Sequence, residues 1–222
     1  MHWMLLLAIG LPMSLFLAAF VVGCFERLHV RMFAPSEPGD WTGYMSRMAA
    51  VAIELGYVYR ADGHHTKYGG KLPAILFLGP DHSTLALICQ GTIANLPTRK
   101  TILMSQLRSG ECIITTDDPG TCELDPLTRR QILIRSSFGE LAERHARALD
   151  SGGPFEPFPA DAGWECVDRI TRARVDRMVA AGAARYADDG RDVFRKTVRG
   201  AFRASLIHGI LQSFRHIVRS SG

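Results

Sequence analysis

The chain has 222 residues, enough for one well-buried domain with extensions but not for two full domains. Its formal charge is only +4, which excludes a molecule that is polybasic throughout, and no nucleic-acid partner is expected. Five cysteines form no C-x-x-C pair and no zinc-ligand spacing, so a closed structural zinc site is not expected.

The N-terminus carries the first clear signal. From Trp3 to Phe25 the run WMLLLAIGLPMSLFLAAFVVGCF holds no charged residue. About twenty apolar residues suffice for a helix to cross the hydrocarbon core, so this segment is expected to be a single-pass transmembrane anchor. Glu26, Arg27 and Arg31 follow at its far end, and basic residues concentrate on the cytoplasmic side. That orientation places the soluble part in the cytoplasm, with Trp3 anchored at the opposite interface. An alternative is a lipoprotein anchored through Cys24, because VVGC at residues 21–24 resembles a bacterial lipobox. Gly10, Ser14 and Ala18 recur every four residues, a spacing that lets two such helices approach closely. The expected partners are therefore the lipid bilayer and either another protein or a second copy of the chain.

Residues 1–31 thus read as anchor and basic flank, and 32–40, with two prolines and a glycine, as a linker. An α+β domain is expected over 41–150. Asp40 suits an N-cap, and Met45, Met48, Ala49, Ala52 and Ile53 share one helical face. After Gly56 the period changes. YVYR reads as a short strand, then ADGHHTKYGG (61–70) as a glycine-closed loop. AILFLG and STLALICQG form a hairpin around GPDH, and TILMSQL and ECIITT a second around RSGE. After the DDPG turn, QILIRSS supplies a sixth strand. Short strands joined by tight turns predict an antiparallel sheet of five or six strands. A second helix begins near Ser137, with Phe138, Leu141, Ala142, His145 and Leu149 on its apolar face. The two helices, one at each end of the sheet, are expected to cover one face.

Residues 151–160 form a Pro/Gly linker, pinned by Phe155 and Phe158, and 161–222 a helical extension. One helix is expected from about Ala162 to Tyr186 and a last one from Arg191 to Val218. The tail from Arg191 holds seven basic residues against Asp192 alone. Phe202, Ile210 and Phe214 lie on the apolar stripe of that last helix, flanked by Arg195, Arg199 and Arg203. A basic amphipathic helix of this kind suits the surface of an anionic membrane, or a protein partner. The plainer reading is a helix packed on the domain with its arginines solvated.

Candidate chemistry is sparse. Asp62, His64 and His65 form the one cluster that suits a metal-dependent hydrolase, with His64 and His65 as ligands. Adjacent histidines on a strand face opposite sides, however, and His82 belongs to a turn at the other end of the following strand. Asp117 and Asp118 sit in turn chemistry, and Cys89 lies inside an apolar strand, where a thiol is inert packing. No cofactor is implied. The leading expectation is a membrane-anchored binding, sensory or scaffolding module, with a metal-dependent hydrolase as the alternative.

Overall fold

The computed structural model describes residues 14, 17, 20–21, 27–29, 33–37, 39–41, 43–67, 70–93, 96–118 and 124–205. The chain divides into two compact units. The larger contains His29–Pro119 and Leu127–Arg174, and the smaller Met1–Leu28, Gly120–Pro126 and Val175–Gly222.

The larger unit is built on a seven-stranded sheet. In spatial order it consists of β2 (Phe33–Pro35), β3 (Val58–Lys67), β4 (Gly70–Leu78), β5 (Leu85–Ile93), β6 (Leu96–Gln106), β7 (Cys112–Thr116) and β8 (Thr128–Ile132). Six strands of five residues or more are edged by the three-residue β2, which falls inside the expected linker. The sheet is not antiparallel throughout, because β7 and β8 run parallel. Because β7 and β8 are parallel neighbours, they are not the two arms of a hairpin, and a parallel pair requires a longer connection than a tight turn. The sixth strand accordingly starts earlier than the QILIRSS run.

Side chains of the central strands alternate between two apolar clusters. Leu72, Leu76, Leu85, Leu87 and Ile114 point to one face, where they meet Phe158, Trp164, Val167 and Ile170. Ile75, Phe77, Ile88 and Leu103 point to the other, against Met45, Met48 and Ala52 of α1 (Gly43–Glu54) and Phe138 and Leu141 of α2 (Phe138–Gly152). Both faces are therefore covered: α1 and α2 lie on one, and the first half of α3 (Trp164–Ala180) on the other. This explains why AILFL and LALI are continuously apolar rather than alternating. The expected linker is part of this packing. Phe158 is buried, its N–H donates to the His82 carbonyl at 2.8 Å, and Phe155 bridges to Leu107.

Helix ends follow their local chemistry. At α2, Ser137 and Glu140 form a reciprocal capping box. Asp40 does not cap α1; the Gln90 side chain on β5 accepts from the Met45 N–H at 3.0 Å instead. Helix α3 stops well short of Tyr186. Gly182 takes φ +69°, and the amides of Gly182 and Ala183 donate to Val179 and Met178, a Schellman closure that needs a residue free to be left-handed.

The smaller unit holds a three-stranded sheet in the order β1 (Arg27–His29), β10 (Val193–Lys196), β9 (Ala184–Tyr186). Two strands thus interrupt the expected C-terminal helices. Residues 193–196 alternate half-buried and buried, which is the period of a strand. Helix resumes at 198, where the Thr197 hydroxyl accepts from the Gly200 N–H at 3.0 Å, and it is described to 205. Arg195 therefore lies on β10, apart from Arg199 and Arg203 on the helix. Trp3, Cys24, Arg31, Ile210 and Phe214 lie outside the described residues, as does most of the apolar run 3–25. Among the described residues no helix is long and apolar enough to cross a membrane.

Candidate functional site

The polar run at 61–67 is not a loop but the body of β3, paired with β2 on one side and β4 on the other. Its Asp, Gly and His residues are poor strand formers, and hydrogen bonding from two neighbours overrides that preference. The register pair Lys67↔Gly70 leaves only residues 68 and 69 between β3 and β4.

A bulge decides what Asp62 does. The β3–β4 register slips between Tyr59 and Ala61, so Tyr59 and Asp62 reach the same face. There the Asp62 carboxylate accepts from the Tyr59 hydroxyl at 2.7 Å and from the Trp41 indole at 2.8 Å. Its backbone carbonyl accepts from the Ser36 N–H at 3.1 Å and from the Trp164 indole at 3.0 Å. Four donors converge on one buried residue, and the carboxylate is a tie between layers.

The two histidines diverge. His64 faces the α1 side with Ile75 and Phe77, whereas His65 lies opposite Leu72 on the α3 side. His65 is buried, 4.8 Å from the Phe33 ring, with Nε2 at 3.2 Å from Lys100 Nζ. Phe33 in turn stacks on Trp164 at 5.1 Å. Asp62, His64 and His65 are thus not brought together as a ligand set. Among the described residues no group of three or more His, Cys, Asp or Glu is placed to hold a metal ion.

Two polar networks escaped the sequence reading. The first joins α1 to the sheet: Tyr44 donates to Asp117 Oδ2 at 2.7 Å, and Asp117 Oδ1 accepts from the Thr101 N–H at 2.6 Å. Tyr44 has spent its only proton, so the 2.7 Å contact with Thr101 Oγ1 is donated by Thr101. Burial raises the pKa of Asp117 above the usual carboxylate value, and its hydrogen bonds partly offset that rise.

The second network resembles a nucleophile and its base. Ser105 Oγ lies 2.8 Å from His145 Nε2, and His145 Nδ1 lies 2.9 Å from Thr115 Oγ1. Donor counting assigns its polarity. Asp81 accepts from the Ser83 hydroxyl at 2.7 Å, which leaves Ser83 to accept from Thr84, and Thr84 from Ser105. The Ser105 proton therefore points away from His145, whose Nε2–H donates to Ser105 while Nδ1 accepts from Thr115. A serine whose proton is committed elsewhere is not being activated by that imidazole. All three side chains are buried, and desolvation lowers the His145 pKa to about 4. The arrangement is a satisfied interior chain anchored on Asp81. Cys89 is likewise an interior group, its thiol pushed up to about 11 by burial.

In the smaller unit the described ends of the chain meet. Ser14, Leu17, Phe20 and Val21 are helical, and the Phe20 ring stands edge-on to Phe202 at 6.3 Å. On the same two helical segments Leu17, Val21, Val198 and Phe202 are exposed by 58, 45, 69 and 50%. Comparison with protein-family models, curated proteins and solved structures finds no match.

Proposed function

We propose that the protein is a membrane-anchored, non-enzymatic binding or scaffolding module. In this reading residues 3–25 cross the bilayer, and the α/β/α unit is held in the cytoplasm. The observation that carries it is the Phe20–Phe202 contact, with Leu17, Val21 and Val198 exposed on the same two segments. Apolar side chains gathered on one face mark a membrane or protein contact, whereas singly scattered ones do not. Set in the acyl boundary, these side chains account for the uncharged N-terminal run and for the position of Arg199 and Arg203 beside Phe202. Each such arginine near an anionic leaflet contributes about 1 kcal/mol.

The polar interior of the larger unit supports a binding role over chemistry, because its carboxylates and its Ser105–His145 pair are engaged in holding layers together. A reporter fused after Gly222 tests the topology. Activity confined to the cytoplasm is expected, and activity confined to the outside would reverse the proposed orientation.

A further inference from the structure

Between β8 and α2 the larger unit opens a groove of about 570 Å³, lined by side chains of both elements. That size lies within the range of roughly 300–1,000 Å³ usual for small-molecule sites. Arg130 contributes from β8, and Arg144 and Arg147 from α2, against Glu140 and Glu143. Both acids are already engaged. Glu140 accepts from the Ser137 amide and hydroxyl in the capping box, and Glu143 is bridged by Arg147.

Arg144 is different. Its Nε donates to the neutral side-chain amide oxygen Oε1 of Gln131 at 3.1 Å, a bond that orients the guanidinium without neutralising it. Among the described residues nothing else bonds its two terminal nitrogens, which remain as a fork, the geometry that suits carboxylate and phosphate oxygens. The Ser136 hydroxyl adds a polar group to the same wall.

We propose that this groove binds a small oxyanion-bearing ligand, a phosphomonoester or a dicarboxylate, through the Arg144 guanidinium as positioned by Gln131. Neither the membrane reading nor the buried networks are needed for it.

Isothermal titration of the full chain in detergent micelles, with inorganic phosphate and separately with succinate, tests the site. Saturable binding of at least one probe is expected. Arg144→Gln should weaken it about tenfold, the scale of one charge-assisted bidentate contact. Arg144→Lys, which keeps the charge and loses the fork, should weaken it as well. Arg47→Gln, at an exposed position of α1, should leave it unchanged. Binding of phosphate alone assigns a phosphomonoester, and of succinate alone a dicarboxylate. The proposal is overturned by the absence of saturable binding for either probe, by undiminished binding in both Arg144 variants, or by equal weakening in Arg47→Gln.

Discussion

Trp41 and Trp164 donate their indole N–H groups to the same residue, Asp62, the first to its side chain and the second to its backbone. Trp41 belongs to the α1 cluster and Trp164 to the α3 cluster, so one position of β3 fastens both coverings of the sheet. Replacing Asp62 with alanine removes the acceptor of two half-buried donors, those of Trp41 and Tyr59. The expected cost is about 1–2 kcal/mol, the lower part of the range for an unsatisfied donor, because partly exposed groups can turn to water. Asp62→Asn, which retains an acceptor oxygen, should lose less. Denaturant unfolding of the three proteins measures both differences; an alanine variant as stable as the wild type would remove the tie.

His145 makes stability fall with acidity over a defined window. Its folded pKa of about 4 lies below the ordinary value of 6.5, so between them the unfolded chain binds a proton that the folded chain refuses. Its contribution is complete above pH 6.5 and is lost as the pH falls toward 4. Protonation would also force Nδ1 to become a donor, breaking the acceptance from Thr115. The loss between pH 7 and pH 5 should be about 2 kcal/mol. Chemical denaturation at the two values should show a flatter dependence for His145→Gln. Parallel curves would mean that His145 does not titrate as described.

Gly200 lies in the first turn of the last helix, against Ala183 in the turn that follows α3. A Cβ there would stand 1.9 Å from the Ala183 carbonyl oxygen, which also accepts from the Thr197 N–H. Backbone cannot yield as a flexible side chain does. Gly200→Ala should therefore destabilise the smaller unit by about 2 kcal/mol, read as accelerated proteolysis within residues 184–205. Unchanged protection would show that the approach is less close.

The tail should hold lipid on its own account. A chain beginning at residue 26 is expected to float with vesicles containing anionic lipid at low salt and to detach as salt is raised, because screening weakens each arginine contact. Replacing Phe202 with serine should reduce flotation at every salt concentration, and replacing Arg199 and Arg203 with glutamine should weaken the salt dependence, with five basic residues of the tail left. A truncated chain that stays in solution at every ionic strength refutes the tail's part in membrane binding.

Much of the sheet was legible because its signals are local. GPDH and RSGE turn the chain where expected, and α2 begins next to Ser137, where its start is expected. What failed was decided at a distance. Nothing local marks Asp62 as lying within a strand, since its place depends on two neighbouring strands and a bulge at Arg60. The parallel course of β8 was hidden because the DDPG stretch carries ordinary turn chemistry. The Phe/Leu/Ile spacing of the tail overrode the period-two pattern of Val193–Lys196, so Arg195 was placed on a helix. The helical spacing does place His145 on the apolar face of α2, where it is buried. The hydroxyls that receive it, Ser105 and Thr115, come from two other elements and had no sequence link to it.

Alkaline carbonate extraction of membranes from cells producing the full chain tests membrane anchoring most directly. The account predicts that the 222-residue protein stays in the membrane pellet, and that a chain lacking residues 1–25 is released by the same treatment. Recovery of the full chain in the supernatant would contradict it.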